Sequence, residues 1–313
     1  MRAAILREYD ATPELGEFDD PREQDGAVAV DVLAAALNPV DIRKAAGAFP
    51  LAPKPPLPSV AAWEGIARMP DGSRAYFADP VPPFGALAER TLVEPVATFP
   101  VPYGVDDGVA VALGIAGSAG WLAVAWSGKV REGETVLVLG ASGTVGKVAV
   151  QAARLLGAGR VVAAARSEHG LGRARELGAD EAVQLGVDDL AAALREASGG
   201  GGFDLIVDPL WGEPAMAAAK AAAPFGRLIA LGQSAGLEAT FTSADVRNNA
   251  LRIVGHTNYK VPVADLRAAY ERMCAHAAAG ELTADYERVP LDEAPAAWER
   301  QRSGPGAKLV VFP

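Results

Sequence analysis

A strand, a tight glycine turn and a helix follow one another at the centre of the chain: TVLVLG, ASGTVG and KVAVQAARLLGAG, from Thr135 to Gly159. A short β-branched run that ends in small residues and opens an amphipathic helix is the start of a parallel βαβ unit. More apolar runs follow, separated by Ala/Arg/Glu helical patterns: RVVAAA (160–165), EAVQL (181–185), FDLIVDP (203–209), GRLIALG (226–232) and LRIVG (251–255). Near-continuous apolar strands alternating with helices predict an α/β domain with a parallel sheet covered on both faces.

The glycine turn points to a dinucleotide. Ala141, Gly143 and Gly146 fill the fingerprint's three positions. Gly143 would let the backbone approach a diphosphate, and Gly146 would let helix and strand pack closely. Ser142 lies on this turn, and the helix beginning at Thr144–Val145 offers free amides and a positive dipole end. A site preferring NAD carries Asp or Glu at the tip of the second strand. Here the tip reads Ala165-Arg166-Ser167. Arg166 offers a planar fork for a 2′-phosphate and Ser167 a further donor, with Arg173 adding a cation from the next helix, so NADPH is the expected cofactor.

Composition removes other classes. The single cysteine, Cys274, rules out an intramolecular disulfide and a CxxC pair. The net charge of −10 argues against nucleic acid or an anionic membrane as partner. Charges at Arg2, Arg7, Glu8 and Asp10 interrupt any signal-peptide core, and the uncharged run from Gly108 to Gly128 reads as a buried inter-domain helix. A cytoplasmic protein acting on a small molecule is expected. Residues 1–107 read as proline-rich short strands and loops, and after Gly255 come a helix, LRAAYERMCAHAAAG, and a last strand, KLVVF.

At this level the sequence resembles the zinc-independent quinone oxidoreductase branch of the medium-chain dehydrogenase/reductase superfamily. Asn38-Pro39-Val40-Asp41 is similar to its NPxD motif, PLPSVAAWEG with Glu64-Gly65 to its PLPxxPGxEG segment, and Gly85 to Glu89 to its GxxAE turn. Gly140, Gly143 and Gly146 match AxxGxxG with Gly for Ala, and Gly226-Arg227 through Gly232 resembles GRxVxxG. The resemblance implies a Rossmann doubly wound coenzyme domain (108–255) inserted in a GroES-like, mainly β catalytic domain (1–107 plus 256–313). It implies coenzyme contacts from Asn38 and from Leu231, Gly232 and Gln233, and a homodimer. Departures fall in the catalytic part: the stretch after Glu64 is compressed, and Arg43 stands where the family often has tyrosine.

Zinc-dependent relatives need a Cys and a His where this chain has Asn38–Asp41 and Trp63, and His169, His256 and His276 lack ligand spacing. No metal is therefore expected. Without a Lewis acid, quinones and conjugated enones suit hydride transfer, because the resulting anion can be held by hydrogen-bond donors. The candidate catalytic residues are Asn38, Asp41, Arg43 and Tyr259, with Lys260 beside the last. The alternative is a non-catalytic NADPH-binding sensor or interaction protein.

Overall fold

A computed structural model describes residues 1–304 and 306–313. The chain divides into two units, Met1–Ala116 with Val263–Pro313, and Gly117–Pro262.

The first unit is mainly β. It begins with β1 (Arg2–Leu6), β2 (Glu14–Glu17), β3 (Val28–Ala36), α1 (Pro39–Ala45), β4 (Ser59–Val60), β5 (Glu64–Arg68), β6 (Arg74–Ala78), β7 (Arg90–Val93), β8 (Phe99–Pro100) and α2 (Asp107–Ala112). β1 pairs antiparallel with β2 and β4. β3 is the spine of the larger sheet, pairing antiparallel with β5 and β7, while β5 carries β6 and β6 carries β8.

The second unit holds α3 (Ser118–Leu122), β9 (Thr135–Leu139), α4 (Thr144–Leu155), β10 (Arg160–Ala165), α5 (Glu168–Glu176), β11 (Glu181–Gln184), α6 (Leu190–Ala197), β12 (Phe203–Asp208), α7 (Gly212–Lys220), β13 (Ala222–Ala230), α8 (Ser243–Arg247) and β14 (Arg252–Gly255). Among the described residues its strands form one parallel sheet in the order β11-β10-β9-β12-β13-β14. This is the doubly wound Rossmann order, in which the chain runs outward from β9 to one edge and then restarts at β12 toward the other. Val136 to Leu139 are wholly buried, as burial on both faces requires.

The chain then returns to the first unit through α9 (Val263–Ala278), β15 (Glu287–Pro290), α10 (Ala294–Ser303) and β16 (Leu309–Phe312). β16 lies antiparallel on β3, Val310 opposite Ala36 and Val311 opposite Ala35. That register carries Lys308 alongside Leu37 and Asn38. Leu37, Phe77, Leu87, Trp298 and Val311 build the apolar core of this unit.

The sequence boundaries of 107/108 and 255/256 differ from this division. Residues 108–116 stay with the first unit, where the Ile115 N–H is held by Glu64 at 2.7 Å. Residues 256–262 stay with the second, where the His256 N–H bonds the Ala230 carbonyl and its Nδ1 lies 2.8 Å from Ser127 Oγ. The apolar run Asp107–Ser127 is long and apolar enough to cross a membrane, and 78% of its most apolar window is buried in protein. It is not a regular helix. π-Helical turns at Leu113–Gly117 and Ala123–Ser127 interrupt it, and Gly114 leaves helical geometry with ψ −116°.

Candidate functional sites in the two units

In the second unit the turn after β9 is shaped by absent side chains. Gly140 has φ +63°, so the left-handed corner falls there and not at Ala141, which is wholly buried. A Cβ on Gly146 would lie 2.4 Å from the Gly140 carbonyl oxygen and 2.6 Å from Ala141 Cα. Only glycine lets α4 sit this close to the turn. A Cβ on Gly143 would meet nothing nearer than 3.6 Å, so the chain's own packing does not demand glycine there. A glycine that packing does not require leaves the backbone there open to close approach by a ligand. Gly143 is the N-cap of α4, and no side chain caps that end. Its first amides, from Thr144 and Val145, are thus left for another acceptor. Ser142 is half-buried and packs against the start of α5, where a Cβ on Gly170 would touch it at 2.3 Å.

β10 ends at Ala165, and Arg166 and Ser167 follow it, both exposed. Ser167 caps α5 by accepting from the Gly170 N–H at 3.1 Å, which leaves its own proton to donate. The Arg173 guanidinium is engaged by Glu176 at 2.9 Å one helical turn on, so it is less available to a ligand than Arg166. Leu231, Gly232 and Gln233 follow β13, and the Leu231 N–H is held by the Asp208 carbonyl at 2.9 Å. Because the strands are parallel, the ends of β9, β10, β12 and β13 gather these residues at one edge of the sheet. The crevice where the strand order reverses, between β9 and β12, is where such sheets bind ligands. The missing side chain at Gly143, whose own N–H bonds the Gly140 carbonyl at 3.1 Å, and the uncapped α4 fit a dinucleotide, and the tip at 165–167 carries no carboxylate. Tyr259 lies in a short 3₁₀ turn, Asn258–Lys260, after the edge strand β14 and is half-buried.

The first unit holds a buried polar cluster that sequence reasoning only partly saw. Asn38, the N-cap of α1, is 3% exposed and Asp41 and Glu64 are wholly buried. Asn38 donates from its backbone N–H to Asp41 Oδ2 at 2.7 Å. Its amide nitrogen donates to Asp41 Oδ2 at 3.2 Å and to Glu64 Oε1 at 2.6 Å. Its amide oxygen accepts from Lys308 Nζ at 2.5 Å, and the same ammonium reaches Glu64 Oε1 at 3.2 Å. Glu64 Oε2 accepts from the Tyr76 hydroxyl at 3.0 Å and the Ile115 N–H at 2.7 Å. A Cβ on Gly114 would press on Tyr76 at 2.3 Å and Glu64 Oε2 at 2.5 Å, so the missing side chain at 114 makes room for this carboxylate.

This geometry corrects two expectations. Asn38 is not a free donor for coenzyme or substrate, because both its amide hydrogens and its oxygen are engaged inside the unit. Asp41 lines no wall. Burial, and then the neighbouring charge of Glu64, push its carboxyl up to about 7, against the pull of Lys44 and Lys308. Arg43, one turn along α1, is exposed and lies over the Phe49 ring at 5.4 Å. Glu64, Tyr76 and Lys308 were the residues without an assigned role. An acid inside the apolar run VAAWEGIA and a lysine just before LVVF were the available signals. Burial also raises the Tyr76 phenol well above its ordinary value, with Glu64 adding to the effect.

A mainly β unit with a Rossmann unit inserted in its sequence is the architecture of medium-chain dehydrogenases and reductases, and comparison with known proteins agrees. A family model described as zinc-binding dehydrogenase matches residues 144–275. The chain is 29% identical over 299 residues to a phenolphthiocerol/phthiocerol polyketide synthase of Mycobacterium tuberculosis, a match that covers 90% of this chain but only 13% of that protein's length. It is 30% identical over 249 residues to the quinone oxidoreductase of Rattus norvegicus, covering 76% of this chain and 75% of the rat protein. The solved quinone oxidoreductase from Thermus thermophilus, also determined in complex with NADPH, superposes with a TM-score of 0.83 over 100% of both chains at 28% identity. The chain belongs to the zinc-independent quinone oxidoreductase-like branch of the medium-chain dehydrogenase/reductase superfamily. Among the described residues no group of three or more His, Cys, Asp or Glu is placed to hold a metal ion.

Proposed function

We propose that the protein is a cytoplasmic NADPH-dependent reductase of quinones or conjugated enones that works without zinc. The observation that carries this reading is the edge of the parallel sheet, where the open glycine turn, the uncapped α4 and the exposed Arg166-Ser167 tip lie together. The amides of Thr144 and Val145, with the Gly143 backbone and Ser142 beside them, would hold the diphosphate. Arg166 would take the 2′-phosphate in a bidentate grip, and Ser167 would add one donor. Leu231, Gly232 and Gln233 would line the same edge. Bound NADPH would supply a hydride to an electrophilic carbon.

The chain's own part in the chemistry is to bind, orient and neutralise. Arg43, exposed and steadied by Phe49, is the candidate donor in the first unit for an enolate or hydroquinone oxygen. Tyr259 is the candidate in the second. Asn38 and Asp41 serve by holding the start of α1, and with it Arg43, in place. The exposed edge strand β14 supports a homodimer formed through that edge.

The engagement of Asn38 favours a second reading, in which the protein binds NADPH as a sensor and turns nothing over. One experiment separates the two: NADPH oxidation followed by absorbance against a panel of benzoquinones, naphthoquinones, enones and alkenals. Tight NADPH binding with no turnover across the panel would overturn the reductase.

A further inference from the structure

β12 ends on Asp208, which is wholly buried. One of its carboxylate oxygens accepts from the Leu210 N–H at 2.8 Å and the Trp211 N–H at 2.9 Å. The other oxygen has no hydrogen-bond partner among the described residues. The segment it holds is unusual in two ways. Trp211 has φ +60° and Gly212 φ +61°, a conformation that a bulky residue such as tryptophan rarely adopts unless something imposes it. The segment also sits between two glycine positions. A Cβ on Gly140 would meet Pro209 and Leu210 at 3.1 Å, and a Cβ on Gly232 would meet the Pro209 carbonyl oxygen at 2.2 Å. The Leu210 carbonyl in turn holds the Ala235 N–H at 2.8 Å. The loop after β12 is therefore packed against the turn after β9 on one side and the turn after β13 on the other. These are the two turns that flank it at the carboxyl edge of the sheet.

We propose that Asp208 is a positioning residue of the coenzyme site, fixing residues 209–212 as the wall of the crevice opposite the Gly140–Gly143 turn through its two hydrogen bonds to the Leu210 and Trp211 amides. The inference rests on the reading of that crevice as the NADPH site. It assigns Asp208 no contact with the coenzyme. Its effect passes through the backbone it holds, and losing it lets the wall drift relative to the turn. The acceptor matters and the charge does not, because no described donor faces the second oxygen. Asparagine can supply the same acceptor from the same position.

The test measures NADPH affinity directly, by calorimetric titration, for the wild type, Asp208→Ala and Asp208→Asn, with melting temperature recorded in parallel. Asp208→Ala weakens NADPH about tenfold or more, and Asp208→Asn returns to within about threefold of the wild type. With a turned-over quinone, the KM for NADPH rises in Asp208→Ala while the KM for the quinone stays unchanged, a split that general loosening would not give. Should Asp208→Ala fail to fold, Asp208→Thr carries the comparison, because threonine fills the space and its hydroxyl can serve at most one of the two amides well. Asp208→Ala binding as tightly as wild type, or Asp208→Asn as poor as Asp208→Ala, overturns the proposal. A wild type that binds no NADPH overturns the reading of the crevice instead, so the two failures are distinct.

Discussion

The Asn38 amide nitrogen donates to Glu64 Oε1 at 2.6 Å across 26 positions of sequence, joining the start of α1 to β5 in the interior of the first unit. Lys308, just before β16, closes the same knot from the other end of the chain. Glu64 is its hub, since each of its oxygens serves two partners.

Truncating that hub takes the carboxylate partner from the buried Lys308 ammonium and one of two acceptors from the Asn38 amide nitrogen. Glu64→Ala is expected to cost about 3–5 kcal/mol of stability, the range for breaking a buried ion pair from one side. Glu64→Gln, which keeps the shape but turns an acceptor into a donor, is expected to cost roughly 1–3 kcal/mol. Urea unfolding of the variants gives both values. A loss below about 1 kcal/mol in Glu64→Ala would show that the cluster is not holding the unit together.

The glycine turn separates stability from binding. Gly146→Ala must push α4 off the Gly140 carbonyl, so it loses about 1–3 kcal/mol of stability and NADPH affinity with it. Gly143→Ala meets only the Gly140 carbonyl oxygen, at an ordinary van der Waals distance of 3.6 Å, so its stability stays within about 0.5 kcal/mol of the wild type while NADPH binding weakens. Thermal unfolding beside coenzyme titration checks the pair. Equal stability losses in both variants would refute the distinct roles given to the two glycines.

Asp41 makes the first unit sensitive to pH in a defined direction. Its folded value, raised to about 7 from an ordinary 3.8, means that the folded chain holds a proton the unfolded chain has released between those limits. Stability therefore falls as pH rises through that window and stays lowered above it. Asp41→Asn removes this dependence. Relative to wild type, the variant gains roughly 3–4 kcal/mol between pH 4 and pH 8, at about 1.4 kcal/mol per unit. Unfolding curves of both proteins across that range test it, and parallel profiles would contradict the placement of Asp41.

Much of the second unit was legible because a sheet buried on both faces writes its strands as continuous apolar runs. RVVAAA became β10 over the same six residues, and FDLIVDP became β12 up to Asp208. Which residue takes the tight corner was not legible, since sequence shows glycines but not which of them carries the positive φ, here Gly140. The unit boundaries were misplaced because the run from 108 is apolar throughout, and composition does not say which core a buried residue joins. Asn38 and Asp41 were visible as a local pair three residues apart at a helix start. What they do was not, because Glu64 and Lys308 reach them only through the registers of β5 and β16 on β3, Lys308 from 270 positions away. β15 was missed as well. Its outward residues are exposed, and ERVP carries no apolar alternation to mark it.

The proposed reductase takes NADPH through Arg166 at the tip of β10. Calorimetric titration of NADPH and NADH into the wild type and Arg166→Glu tests it most directly. The wild type is expected to bind NADPH at least about tenfold more tightly than NADH, and Arg166→Glu to lose that preference as the new carboxylate repels the 2′-phosphate. An unchanged NADPH affinity in Arg166→Glu would contradict the account.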